Sequence, residues 1–396
     1  MRKLNIACLS GALCTVVALA QAPAESPNPG NPETTSTSPV AYVYVSSVTA
    51  SNGSKSDVVA YSAASSGKLT RIPGSPFAAD VNSLASNGKY LFGSAISGTS
   101  IDAYEIESNG ALKYAASSNV PTGSGCSSAG TLSLDHTGAS LYNFDYDGNI
   151  CANNSYQAFE VEKSSGKLSY LDITGASPSL TGPLSFIGNN KFAYTSGCFH
   201  SSGGIFVFQR GSGGSLTALN INPPLPANPS ASYCPAYAAA DPTNHVAIAV
   251  MPYIGYLEPG GSYQLATYTA ESSGNLTTTS TPANMPKVQA TGDTNNSYLT
   301  ALNMAPSGKL LAVAGSKGLQ VFHFNGASPI TPYTGLLTSS EVDQIFWDNS
   351  NHLYAIGEAA KKLWVFTITP TSHSEAPGSP YTVNAPQSLD IQPLVR

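Results

Sequence analysis

Charge is what this sequence has least of. Only 10% of its 396 residues are Asp, Glu, Lys or Arg, against about 25% in an average soluble protein. Arginine is rarest, with Arg2, Arg71, Arg210 and Arg396 the four in the chain. With a net charge of -6 and no block of basic residues, the sequence has no electrostatic footprint for nucleic acid, and an anionic membrane is a poor partner. Neither is expected. Tryptophan (2) and methionine (4) are scarce as well. What the chain has instead is Gly (36), Pro (28) and Tyr (21), the vocabulary of short strands and tight turns rather than of helices.

The N-terminus reads as an export signal: Arg2 and Lys3, an apolar run from about Leu4 to Leu19, and a small-residue cleavage site at Ala18-Leu19-Ala20. The run is too short for a comfortable membrane span, and no transmembrane segment is expected. A lipid anchor on Cys14 is disfavoured by Leu13, where a small side chain is needed. Residues 21–39 are mostly Pro, Ser, Thr, Asn and Glu. They carry too little apolar surface to offset their ordering entropy and read as a flexible tether. The expected organisation is a signal peptide over 1–20, a tether over 21–39 and one folded domain over 40–396, in an extracytoplasmic (periplasmic or secreted) protein. Export leaves four cysteines, Cys126, Cys151, Cys198 and Cys234, an even number suited to disulfides in an oxidising compartment.

Internal repeats organise the rest. Seven apolar runs end in an aromatic residue: Val58 to Tyr61, Ile101 to Tyr104, Tyr156 to Phe159, Ile205 to Phe208, Leu265 to Tyr268, Leu319 to Phe322 and Leu363 to Phe366. Most are followed by a glycine turn and a new strand, with Gly67, Gly110, Gly166, Gly214, Gly274 and Gly326 marking the slot where a hairpin needs positive φ. Upstream lies a second hairpin, visible six times, whose third residue is always Gly or Asn: Gly88, Gly138, Asn190, Asn244, Gly308 and Asn351. Each unit thus holds four strands, A to D, the signature of a β-propeller blade. The seventh A–B hairpin is split between the chain ends, with Ser388 to Ile391 resembling strand A and Ala41 to Val45 resembling strand B. The fold expected is an all-β, seven-bladed propeller in which the C-terminal strand completes the first blade and closes the ring, removing open edges.

Units such as Pro306 to Val313 and Tyr61 to Thr70 resemble those of the lactonase-type seven-bladed propellers, which include 6-phosphogluconolactonases and exported bacterial relatives. The resemblance spans about residues 40 to 394. It implies a fold and, more weakly, an activity, because function resides in sites grafted on folds.

Propeller geometry sorts the reactive residues. A–B and C–D turns share one face, and B–C and D–A loops share the other, where the central funnel opens. The stretch from Leu132 to Cys151 looks at first like an active site, with Asp135-His136, then Asp145, Asp147 and a cysteine. Asp135 and His136 belong to an A–B turn, however, and Asp145 to Cys151 to a B–C loop, so the two halves are expected on opposite faces. His245 and His352 occupy a turn slot filled elsewhere by Lys89, Lys191 and Lys309, and read as solvated. Cys126 and Cys151, then Cys198 and Cys234, all fall on funnel-face loops and are expected to pair in that order, with Cys151–Cys198 the rival. No metal or cofactor is expected; Asp145 and Asp147 begin a calcium-like loop without its downstream acidic ligand.

On the funnel face, His200 and Glu258 are the candidate acid–base pair, and Lys287, Asp293, Glu341, Asp343, Tyr253 and Tyr256 are candidate ligand contacts. The family resemblance implies arginines that grip an anionic substrate, a task that needs a bidentate guanidinium. Arg71 lies on an outer strand, Arg210 in a C–D turn and Arg396 at the end, which speaks against a phosphorylated sugar lactone. Two functions follow. One is a monomeric propeller that binds a small molecule, carbohydrate or protein through the funnel-face loops; the other is a lactone hydrolase with a modified site.

Overall fold

The seven aromatic-ended runs are the third strands of seven antiparallel blades of four strands, three of which gain a short fifth strand (Phe77–Ala78, Glu258–Pro259 and Tyr381–Thr382). This is seen in a computed structural model that describes residues 38–49, 53–121, 130–145, 154–177, 180–199, 202–255, 258–292 and 298–394. Blade one takes strand A from Pro386–Pro393 and strands B to D from Ala41–Val48, Ser56–Ala63 and Leu69–Arg71. The A and B strands of the other blades are Val81–Ser86 and Tyr90–Ala95, Thr131–Leu134 and Ser140–Asp145, Thr181–Phe186 and Phe192–Phe199, Ser232–Ala240 and His245–Gly255, Leu299–Met304 and Leu310–Gly315, and Gln344–Trp347 and His352–Gly357. Strands C and D follow each in order. Ring closure is as expected: Val43 pairs with Ile391 and Val45 with Leu389, joining the two ends of the chain in one sheet. No helix occurs among the described residues, and so none is long and apolar enough to cross a membrane.

The core is divided rather than central. Seven hydrophobic clusters fill the seven junctions between neighbouring blades, and each contains one of the repeated aromatics: Tyr61, Tyr104, Phe159, Phe208, Tyr268, Phe322 and Phe366. The repeat therefore exists because each blade must bury one ring against the blade before it. Truncating such a ring to alanine costs about 3–5 kcal/mol.

The turns follow the backbone rule read from the sequence. The C–D glycines all have positive φ, from 63° at Gly326 to 96° at Gly214. In the A–B turns, Gly88, Gly138, Asn190, Gly308 and Asn351 are left-handed, whereas Asn244 is not. At Gly110 the absent Cβ also matters, since one there would lie 2.6 Å from the Tyr42 ring. Blades are further tied by hydroxyls: Tyr44, Tyr142 and Tyr194 of B strands donate to the carbonyls of Gly110, Gly214 and Gly274 in the next blade's C–D turn, at 3.0, 2.8 and 2.9 Å.

Candidate functional site

The innermost strands are short and edge-like, and side chains from neighbouring blades satisfy some of their N–H groups. Ser388 Oγ accepts from Leu84 N, Ser83 Oγ from Leu132 N, Ser185 Oγ from Ala240 N, and Gln344 Oε1 from Leu389 N, at 2.7–3.1 Å. This leaves a channel whose two mouths are built differently.

At the funnel end the A–B ladders shift register in five blades, beside Ser46, Val81, Thr181, Pro235 and Leu299. Bulges of this kind re-aim side chains. In blade five, strand B runs past the sheet as a projecting hairpin, with Tyr253 paired to Pro259 and Gly255 to Glu258. Ile254 near its tip is 66% exposed. Beneath it Tyr253, Ile254, Asn228 and Ser232 line a cavity of about 370 Å³. Burial raises the Tyr263 hydroxyl above its ordinary pKa, with Tyr253 and Tyr237 adding to the effect, so these three tyrosines lie close enough to interact. A disulfide from Cys198 to Cys234, with Cα atoms 5.4 Å apart, ties blade four to the start of strand A of blade five. By loop-closure entropy it contributes about 3 kcal/mol against unfolding. Cys234 is already part of that strand, paired with Met251 at the base of the hairpin, and not in the preceding loop as the sequence suggested.

At blades six and seven the funnel face turns acidic. Tyr298 donates to Glu341 Oε1, and Glu358 N–H donates to Asp343 Oδ2 at 2.7 Å. Burial holds Asp343 above the usual carboxylate range against the lowering pull of that N–H, and the nearby Glu341 and Glu358 carboxylates raise it further. The hydrogen bond to Glu341 likewise raises Tyr298. Sequence reasoning found Glu341 and Asp343 but missed Tyr298 and Glu358, which come from loops of different blades; the only signal was that their loops share a face. Chemically the group can accept hydrogen bonds from hydroxyls or amines.

Among the remaining candidates that are described, no ion pair joins Glu258 to Lys287. Glu258 is exposed on the blade-five hairpin, and Lys287 is exposed where its backbone bridges Gln264. Among the described residues no ion pair joins Glu258, Lys287, Glu341 or Asp343 to a partner, and no group of three acidic, histidine or cysteine side chains is arranged to hold a metal. Cys126, Asp147, Cys151, His200, Tyr256, Asp293 and Arg396 lie outside the described residues, as do the side chain of Asp145 and residues 1–37, which hold the expected signal peptide and all but the last two residues of the tether. Lys317 and Lys361, also exposed on B–C loops, join Lys287 as funnel-face cations.

The turn face is where the reactive-looking residues are consumed. Asp135 is buried and ion-paired at 2.5 Å to Arg210, which is the last residue of strand C in blade four and not in the following turn as the sequence suggested, and it accepts further bonds from Thr137, Ala139 and Asn190. Arg210 is thus structural. Asp241 plays the same part with His245 at 3.1 Å. Asp348 does so with His352 at 2.6 Å and with the Tyr354 hydroxyl. This corrects the reading of His352 as a solvated turn residue: its ring is fully buried. A lysine in that slot is long enough to leave the turn for solvent, whereas the shorter imidazole folds back onto the aspartate that caps the turn.

Seven closed four-stranded blades around a channel define the class, a β-propeller. No protein-family profile and no curated protein matches the chain. Among solved structures it is similar to the periplasmic gluconolactonase of Pseudomonas aeruginosa, with TM-score 0.65 and 14% identity over 90% of this chain and 99% of that one. It is also similar to two proteins assigned provisionally as 6-phosphogluconolactonases. The one from Bacteroides fragilis has TM-score 0.61 and 14% identity over 91% and 99% of the chains, and the one from Bacteroides uniformis 0.61 and 13% over 89% and 99%. The seven-bladed propeller implied by the repeat units is therefore the fold, and it is similar to that of these lactonase structures; identities this low speak to fold alone.

Proposed function

We propose that the chain is an exported propeller that binds a ligand or partner through its funnel-face loops. The observation that carries this reading is the projecting hairpin of blade five, which presents Ile254, Tyr253 and Glu258 over a cavity and is braced at its base by the strand that holds Cys234. An exposed apolar tip beside tyrosine and a carboxylate suits contact with a carbohydrate or a protein surface, since tyrosine offers an apolar face and a polar end. The tyrosines and carboxylates of the bulged funnel rim extend the same chemistry. The periplasmic likeness and the disulfide agree with an extracytoplasmic setting.

A second reading, a lactone hydrolase, is favoured by the likeness to the Pseudomonas gluconolactonase and by the Glu341, Asp343 and Glu358 carboxylates. Purified protein lacking residues 1–20, assayed against a panel of lactones with and without calcium, separates the two. No turnover is expected. Turnover abolished by Glu258→Gln, Asp343→Asn or His200→Ala would overturn the binding reading. Glycan-array binding lost in Tyr253→Ala would support it.

A further inference from the structure

We propose that the channel mouth on the turn face is a separate binding site, for a small neutral molecule that combines an apolar ring with a hydrogen-bond donor. A cavity of about 400 Å³ opens there between blades three and six, within the size range of small-molecule sites. The repeat explains why it exists. The strand A position just before each A–B turn holds Leu84, Leu134, Phe186, Ala240, Met304 and Trp347 in blades two to seven. Ala240 is the one small residue of the six, and four of them, Leu134, Phe186, Ala240 and Met304, form the apolar wall.

His136 supplies the polar group. Its Nε2 lies 2.9 Å from the Phe186 carbonyl oxygen. A carbonyl only accepts, so Nε2 carries a proton, and in the neutral imidazole Nδ1 is then an acceptor. Among the described residues nothing donates to that Nδ1, and the side-chain amide of Asn303, also on the wall, has no partner either. The nearby carboxylates of Asp135 and Asp241 are already committed to Arg210 and His245. Asp135 is paired with a guanidinium and Asp241 accepts bonds from Thr243 and His245, so both carboxylates already have partners and the mouth is left to a neutral ligand.

The test uses 4-ethylphenol and ethylbenzene as probes, followed by calorimetry and by NMR shifts of cavity residues. 4-Ethylphenol is expected to bind several-fold more tightly than ethylbenzene, the difference one hydrogen bond makes. Ala240→Leu should fill the cavity and abolish binding of both, and Ala240→Val should weaken it if the larger change disturbs folding. His136→Phe should keep binding but erase the preference for the phenol. Absence of binding, or binding unchanged in both Ala240 variants, overturns the site. Equal affinity of the two probes for the parent protein overturns the role of His136.

Discussion

The two faces of the disc are built on opposite principles. On the turn face, short A–B hairpins recur in six blades, and polar side chains are spent on one another: a buried aspartate caps the turn in three of them, paired with Arg210, His245 or His352, and tyrosines bond the next blade's glycine turn. On the funnel face, ladders slip, one hairpin projects, and tyrosines and carboxylates are left facing open space. Regularity there would leave nothing to distinguish one blade from another. Irregularity gives each stretch of the rim its own surroundings, and the turn face supplies the stability that lets loops vary.

Variants on each face should therefore have contrasting effects. The largest is expected for Arg210→Ala, which leaves Asp135 buried without its cation; chemical denaturation should show a loss of about 3–5 kcal/mol. Next comes Asp390, on the closing strand A of blade one. Burial pushes its carboxyl up to about 6, above the roughly 3.9 of an unfolded aspartate. The folded state thus holds the proton more tightly. Stability is unaffected by this group below about pH 4, falls as pH rises between about 4 and 6, and stays about 3 kcal/mol lower above that. Asp390→Asn should flatten this dependence and stabilise the protein at neutral pH, as read by unfolding midpoints from pH 4 to 8. A smaller loss, about 1 kcal/mol, is expected for Tyr194→Phe, which removes a single interblade bond. Smallest is Ile254→Ser on the funnel face, which should move stability by no more than about 0.5 kcal/mol. If Ile254→Ser unfolds the chain, the division between a stabilising face and a free one is wrong.

Much of the fold was legible because it is periodic. The aromatic of strand C recurs seven times because every blade meets the same kind of neighbour, and the turn glycines recur because each reports a local backbone requirement. The sorting of loops by face followed from the same periodicity, and with it the separation of His136 from the funnel. The candidate site was legible only in part. Glu341 and Asp343 were visible as carboxylates on the right face, but their companions Tyr298 and Glu358 were not. Nor could the slot of His352 reveal whether its side chain would leave the turn or fold onto Asp348, since a lysine and a histidine in the same backbone position reach different distances.

By itself the sequence determined the number of blades, the closure of the ring by the C-terminal strand, and which face each loop occupies, because these depend on the order of strands and turns along the chain. The pairing of Cys198 with Cys234 was expected from the faces their loops share, but only the tertiary structure decided which other side chains meet: Arg210 with Asp135, Tyr298 with Glu341, the small Ala240 among its bulky neighbours. Those contacts join residues of different blades, brought together only by closure of the disc. Where a ladder slips by a residue, the direction of a side chain is set by the packed sheet and not by its place in the repeat.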